Sequence, residues 1–81
     1  MTVDFDSLVR RVLSGIAPDV DVAAIDANAD IREAADIDSV DFLSFVSALY
    51  EETGIDIPER DFAAIRTIAG LERYLAARAS S

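Results

Sequence analysis

The stretch DSVDFLSFVSALYEETGIDIP, residues 38–58, decides the fold of this chain. Apolar side chains recur along it at intervals of three and four residues, which places them on one side of a helix. They are Phe42, Phe45, Val46 and Leu49, with Leu43 and Tyr50 at the edge of that side. Asp38 is suited to cap the amino end of this helix, and Gly54 suits the turn after its carboxyl end. The stretch therefore predicts a helix over residues 39–53.

The flanking segments predict three further helices by the same apolar spacing and by their end signals. The predicted bounds are 3–16, 59–65 and 67–78. Thr2 or Asp4 can cap the first of these helices. Pro58 favours the start of the short one, and Thr67 can cap the last. Residues 79–81 are expected to form a frayed tail.

Residues 17–38 have no helical periodicity and predict a long loop between the first two helices. Apolar residues are expected to hold this loop against the bundle, and they are Val20, Val22, Ile25, Ile31 and Ile37. A turn is expected at 26–29, because Asp and Asn favour turns. The chain thus predicts one all-α domain over residues 1–81, a small four-helix bundle with a short third helix. Its predicted core includes Leu8, Val12, Phe45, Val46, Leu49, Ile57, Phe62, Ile65, Ile68 and Leu71.

The composition argues against several classes of function. The 81 residues include no cysteine and no histidine, so the chain lacks a thiol nucleophile, the commonest general base and the usual zinc ligands. We therefore expect a protein that is not itself an enzyme. The net charge of −9 repels nucleic-acid phosphates and anionic membranes and attracts basic protein surfaces. From this charge we expect neither nucleic-acid nor membrane partners. No apolar run is long enough to span a membrane, and the expected location is the cytoplasm.

The acidic segment Asp19-Val20-Asp21 is similar to the start of a calcium-binding EF-hand loop. That loop needs an oxygen ligand, a glycine and a glutamate at three later positions. The chain has Ala23, Ala24 and Asp30 there. The sequence therefore predicts no dedicated metal site.

The motif that carries chemistry is Asp38-Ser39-Val40, at the junction of the long loop and the acidic second helix. A serine at a helix start is on its own most often a cap. Its context is more specific, because Asp41 follows, then 51–58 with the sequence EETGIDIP, and later Thr67-Ile68. Over about residues 30–75 this combination resembles the acyl carrier protein family, with a valine in the place of the leucine of the family's Asp-Ser-Leu motif.

The resemblance implies carriage of an activated group, not catalysis. In the family, the serine that matches Ser39 receives a 4′-phosphopantetheine arm from coenzyme A through a separate phosphopantetheinyl transferase. The thiol of the arm then holds a carboxylic acid as a thioester. The implied partners are this transferase and a ligase or synthase that loads an acyl or aminoacyl group in fatty-acid, polyketide or related biosynthesis. The absence of cysteine agrees with this role, because the thiol must then be supplied by the arm. The protein is expected to be a monomer.

This chain departs from the family pattern in two places. Many members have Asp-Leu-Gly ahead of the serine motif, where this chain has Ala34-Ala35-Asp36 and so lacks the turn glycine. Phe42, Phe45 and Phe62 are bulky where fatty-acid carriers commonly have smaller groups around their acyl cleft. Interiors pack near crystal density, so three rings in that space leave little volume for a long chain. These departures predict a specialised carrier whose cargo is short, polar or left exposed on the arm.

The exposed side of the second helix is expected to receive the partner enzymes. Attraction to acidic groups speeds encounter, while a small and mostly polar contact keeps release easy. The expected docking residues, with Val40 as the apolar anchor, are Asp38, Val40, Asp41, Ser44, Ser47, Glu51 and Glu52.

A hypothesis from another class is an unmodified acidic helical adaptor that binds a basic protein partner. It predicts that Ser39→Ala leaves function intact, whereas changes on the acidic side of the second helix abolish it. Attachment of the arm to Ser39 distinguishes the two hypotheses.

Overall fold

A computed structural model of the protein describes residues 4–79, which form four α-helices and two 3-10 helices. The α-helices are α1 (Phe5–Ile16), α2 (Ile31–Ala34), α3 (Ser39–Thr53) and α4 (Ile68–Ala79). The 3-10 helices are Val22–Ala24 and Glu59–Ile65. The described part of the chain contains no strand, so the predicted all-α bundle with a short third helix is confirmed.

Helix α3 has the predicted bounds because Asp38 and Gly54 cap its two ends as predicted. An Asp38 carboxylate oxygen accepts the backbone N–H of Asp41 at 2.8 Å and so caps the amino end. At the other end Gly54 has φ +71°, a left-handed conformation that glycine adopts without strain, and its N–H donates to the Tyr50 carbonyl.

The outer helices differ from the predicted bounds by one or two residues. Helix α1 begins at Phe5 because the Asp4 carboxylate accepts the N–H and the hydroxyl of Ser7. Thr2, the alternative cap, lies outside the described residues. The Thr67 hydroxyl oxygen accepts the N–H of Gly70 at 2.9 Å, which confirms it as the cap of α4. Helix α4 includes Ala79, the first residue of the predicted tail, and the other two tail residues lie outside the described range.

The long loop between α1 and α3 contains two short helical turns that the apolar period does not reveal. These are the first 3-10 helix and α2, which has only four residues. The predicted turn at Asp26–Ala29 is confirmed, because the Asp26 carbonyl accepts the Ala29 N–H at 3.0 Å. The Asp26 carboxylate also accepts the N–H of Asn28.

Polar contacts from distant residues fix the course of this loop. The Arg10 guanidinium on α1 donates to the carbonyls of Val22 and Ile25 at 2.6 and 2.9 Å. Farther along, the Ala69 N–H at the start of α4 donates to the Ala27 carbonyl at 2.9 Å. The loop is therefore held against α1 at one point and against α4 at another.

One apolar core lies between α1, α3, α4 and the second 3-10 helix. Eight of the ten predicted core residues are buried, and Leu8 and Phe62 are half-buried against them. Each fully buried side chain of this kind contributes about 1.5–3 kcal/mol. The core also takes in buried residues beyond the predicted set, including five from the long loop and α2. The additional ones are Val9, Leu13, Ala17, Ile25, Ile31, Ala35, Ile37, Phe42 and Leu75.

Candidate functional site

A tight turn between α2 and α3 positions the predicted site. The Asp36 N–H donates to the Glu33 carbonyl at 3.3 Å, and the Ile37 N–H donates to the Arg32 carbonyl at 3.0 Å. This pair of bonds is the Schellman arrangement, which places the residue after the helix cap in the left-handed region. Asp36 has φ +53°, so an aspartate takes the left-handed conformation at the position where many members of the family have glycine. The turn is formed without the glycine.

Ser39 is the first residue of α3, and it is exposed. The first N–H bonded within the helix is that of Phe42, which donates to the Asp38 carbonyl at 3.0 Å. The N–H groups of Ser39 and Val40 precede it and have no intrahelical acceptor. The positive end of the helix dipole lies at the same place. A hydroxyl beside free N–H groups at a helix start suits a covalently attached phosphate.

The predicted docking residues share the exposed side of α3. All seven are exposed, and they are Asp38, Val40, Asp41, Ser44, Ser47, Glu51 and Glu52. Glu52 also forms an exposed ion pair with Arg11 of α1 at 3.3 Å, which the sequence did not indicate. The acidic groups therefore lie around the amino end of α3 and along its outer surface.

An apolar strip lies on the same side of α3, and it extends the predicted anchor Val40 by two residues that were not expected to be exposed. Val40, Leu43 and Tyr50 are 68%, 52% and 51% exposed. At 100° per residue Leu43 and Tyr50 fall on one flank of the exposed side, while Asp41 and Glu52 fall on the other. The apolar spacing puts Leu43 and Tyr50 at the edge of the apolar side of the helix, and this edge position is the sequence signal for their exposure.

An open groove of about 630 Å³ lies beside the start of α3. Its charged lining comes from the start of α2, the following turn and the residue after the second 3-10 helix, and consists of Asp30, Arg32, Glu33, Asp36 and Arg66. Phe42 and Phe62 also line it. The groove could not be predicted from apolar spacing, because it depends on the position of a four-residue helix.

Three phenyl rings pack together at the inner side of this groove. The Phe42 ring meets the Phe62 ring edge-on, with 5.8 Å between ring centroids. It also meets the Phe45 ring at 6.0 Å and an interplanar angle of 59°. Phe45 is fully buried.

Asp30 links α2 to Arg66, the residue after the second 3-10 helix. Its carboxylate accepts the N–H groups of Arg32 and Glu33, and it also accepts two bonds from the Arg66 guanidinium, at 3.0 and 3.2 Å. The Glu33 N–H, followed by the Arg66 guanidinium, holds the pKa of Asp30 below its ordinary value, since both stabilise the charged carboxylate. Residues 4–79 contain no group of three or more acidic side chains placed to hold a metal ion.

Comparison with known families identifies the family of this chain. The family model described as the phosphopantetheine attachment site matches residues 6–75, which run from the first turn of α1 into α4. No curated protein matches the chain significantly. The matched segment contains the exposed serine and the free N–H groups at the start of α3. The chain therefore belongs to the phosphopantetheine-binding family of acyl carrier proteins, whose cofactor is a covalently attached 4′-phosphopantetheine.

Proposed function

We propose that this protein is a non-catalytic carrier, a single domain whose phosphopantetheine arm is attached to Ser39. The arm supplies a thiol on which an acyl or aminoacyl group is held as a thioester and presented to partner enzymes. The observation that carries the proposal is the exposed Ser39 hydroxyl at the free amino end of α3, within the segment that matches the family.

The other hydroxyl groups of the described chain are less suited to attachment. Several are already engaged in local hydrogen bonds, namely those of Ser7, Ser14, Thr53 and Thr67. Ser44 and Ser47 are exposed but lie inside α3, where the backbone N–H groups are bonded within the helix. Ser39 combines exposure with unbonded N–H groups nearby.

The chemistry of attachment needs little from this chain. The Ser39 oxygen forms a bond to the coenzyme A phosphorus nearest the pantetheine, and the bond from that phosphorus to the bridging pyrophosphate oxygen breaks. Adenosine 3′,5′-bisphosphate leaves, and the hydroxyl proton passes to a base of the transferase. The amino end of α3 stabilises the resulting phosphodiester by about 0.3–1 kcal/mol. Asp38 and Asp41 oppose its charge, which fits roles in capping and partner recognition.

The proposed partners are a phosphopantetheinyl transferase and a ligase or synthase that loads the cargo. They are proposed to dock on the exposed side of α3, whose acidic groups attract basic surfaces and whose apolar strip offers a small contact area. A monomer in the cytoplasm stays the prediction of the sequence. No helix among residues 4–79 is both long and apolar enough to cross a membrane.

Modification by a transferase tests the proposal directly. The protein is incubated with coenzyme A and a broad-specificity phosphopantetheinyl transferase and is then analysed by intact mass spectrometry. We expect the wild type to gain the arm and Ser39→Ala to remain unmodified. Ser44→Ala is the matched control, since it removes a hydroxyl from the same exposed side and should still be modified.

Two outcomes contradict the proposal. Wild type that stays unmodified while a control carrier is loaded argues against a carrier and favours the acidic adaptor. Modification of the Ser39→Ala variant would show that the arm is attached to another residue.

A further inference from the structure

A second open pocket, of about 520 Å³, lies between the second 3-10 helix and α4, and we call it the α4 pocket. Its charged lining consists of Arg66 and Arg73, and none of the acidic residues within 4–79 lines it. The groove beside α3, in contrast, is lined by three acidic residues and two arginines. The α4 pocket is thus a positive concave surface on a protein whose net charge is −9.

Small residues keep the surface of the α4 pocket open. Gly70 is buried, and a Cβ atom there would lie only 2.5 Å from the Ala64 carbonyl oxygen. Since Cβ atoms do not approach an oxygen so closely, α4 packs in this way against the second 3-10 helix only with glycine at this position. Ala63 and Ala64 are exposed and complete the small-residue lining. The backbone of a bound peptide can therefore come close to this surface.

Both arginines of the α4 pocket have donors for a ligand. Arg73 is exposed and forms none of the ion pairs within residues 4–79. The Arg66 side chain is 69% exposed and binds Asp30 through Nε and Nη2, at 3.2 and 3.0 Å, so that Nη1 takes no part in this pair. A guanidinium only donates, and it pairs with a carboxylate through two parallel bonds. A carboxylate is therefore the ligand group that suits both arginines.

The acidic residues around the α4 pocket are bound by other groups or lie outside it. Asp61 accepts the hydroxyl of Tyr74 at 2.7 Å and an N–H of Arg78 at 3.3 Å. Glu72, which precedes Arg73 on α4, does not line the pocket. Within the described chain, the charge of Arg73 is consequently not neutralised by an ion pair.

From its charge, its small-residue surface and the unpaired Arg73, we infer that the α4 pocket binds a short acidic segment of a partner protein, whose carboxylates bond to Arg66 and Arg73. Nucleic acid or an anionic membrane is repelled by the whole protein, whereas a short segment meets mainly the charges within about 8 Å at physiological salt. No residue that lines the pocket belongs to α3, so this partner can be bound while α3 contacts an enzyme. The inference goes beyond the proposed function and does not depend on attachment at Ser39.

Titration with a defined acidic peptide tests the inference. The probe is a tetraglutamate peptide flanked by glycines, the control is its tetraglutamine equivalent, and NMR at low salt follows the backbone N–H and arginine Nε–H signals. We expect the glutamate peptide to shift the Gly70 N–H and Arg73 Nε–H signals with a dissociation constant of about 1 mM or below, and the glutamine peptide to shift neither. Shifts that do not saturate, or that are equal for the two peptides, overturn the inference.

Variants of the α4 pocket locate the binding. Ala64→Glu places a carboxylate at an exposed lining position and should weaken binding about two- to fivefold relative to Ala64→Gln. Arg73→Gln should weaken it by a similar factor, whereas Arg32→Gln, at an exposed arginine that is also unpaired but lies outside this pocket, should not. Circular dichroism establishes that each variant is folded. Equal binding by the two Ala64 variants, or an equal loss in Arg32→Gln and Arg73→Gln, places the peptide elsewhere and overturns the inference.

Further probes separate this partner from other anionic partners and from the carrier role. A single-stranded oligonucleotide and phosphatidylglycerol vesicles should shift the Gly70 and Arg73 signals less than the glutamate peptide does. A larger shift with either one assigns the pocket to nucleic acid or membrane and overturns the inference. Ser39→Ala should bind the peptide as the wild type does, and loss of binding in this variant contradicts an independent site. Failure of Ser39 to receive the arm, by contrast, concerns the proposed function alone.

Discussion

Asp36 forms the turn that precedes Ser39, although it is not a glycine. Its φ of +53° lies in the region where a Cβ atom meets the following carbonyl oxygen. Aspartate tolerates this conformation better than most residues because its short polar side chain can bond locally. The two backbone bonds of the Schellman arrangement and the buried Ile37 side chain hold it there. The position stores conformational strain next to the proposed attachment residue.

Replacing Asp36 with glycine should therefore stabilise the protein. We expect Asp36→Gly to raise the free energy of unfolding by up to about 1 kcal/mol, because the relief of strain exceeds the added entropy of glycine in the unfolded chain. Urea denaturation measures the change. Asp36→Asn is the matched control and should change little, since asparagine also tolerates the left-handed region. A clear loss of stability in Asp36→Gly would show that the aspartate side chain makes a contribution of its own.

Helix α3 is the element that links the fold to partner recognition. Its buried side supplies four residues to the core, while its exposed side carries acidic groups on one flank and apolar groups on the other. A partner that binds α3 needs basic groups facing its acidic flank and a small apolar surface facing its apolar flank.

Charge reversal on α3 should slow the partner reactions. At low salt we expect Asp41→Arg and Glu51→Arg each to reduce the transferase reaction rate about two- to fivefold, as for loss of an exposed charge pair. The effect should fade at physiological salt, where screening acts over about 8 Å. Val40→Asp should slow the reaction with less dependence on salt, because it removes an apolar contact.

The control for this prediction is Asp19→Arg, which makes the same charge change at an exposed position in the long loop. The bundle should stay folded in all four variants by circular dichroism. If both reversals on α3 leave the rate at low salt unchanged, or if Asp19→Arg slows it as much as they do, this side of α3 is not the docking surface.

The elements differ in how far their sequence determines them. Helix α3 was predicted to the residue because Asp38 and Gly54 act locally and its apolar spacing is regular. The second 3-10 helix, Glu59–Ile65, also has its predicted bounds. Helix α2 has only four residues, which is too short to show an apolar period. It is held in place by the bond between Arg66 and Asp30, two residues that are far apart in the chain. For the same reason Ser39, at a helix start with local signals, could be proposed as the attachment residue from sequence, whereas the groove beside it could not be predicted.

The whole bundle is closed by contacts between the start of α2 and the start of α4. The Ile31 N–H donates to the Arg66 carbonyl at 2.8 Å, and the Arg66 guanidinium binds the Asp30 carboxylate. Asp30 and Thr67 form an isolated antiparallel bridge at the same place. These contacts attach the long loop to the last helix. Because the charged Asp30 carboxylate binds Arg66, loss of its charge weakens this attachment.

Acid should weaken the bundle through Asp30. Its pKa in the folded protein lies below the ordinary value of 3.8, so the carboxylate contributes stability that is complete above about pH 4 and is lost as the pH falls through the folded pKa. We expect the free energy of unfolding to fall below about pH 4. In Asp30→Asn, which still caps α2 but does not titrate, the fall should be smaller.

Urea denaturation at several pH values measures this difference. Arg66→Gln should cost about 0.2–1 kcal/mol at pH 7, as expected for a partly exposed ion pair. An unchanged acid dependence in Asp30→Asn would show that other carboxylates govern the fall. Asp4, whose pKa is lowered by bonds from the Ser7 hydroxyl and N–H, is the first of these to examine.

The arginines of the chain also protect what the protein is proposed to carry. Thioesters are destroyed by free amines, thiols and imidazoles, and the chain has no lysine, cysteine or histidine side chain to act as such a nucleophile. A guanidinium stays protonated at any physiological pH and offers no lone pair for attack. The basic side chains of this protein therefore do not consume the cargo, and the thioester keeps its reactivity for the partner enzyme.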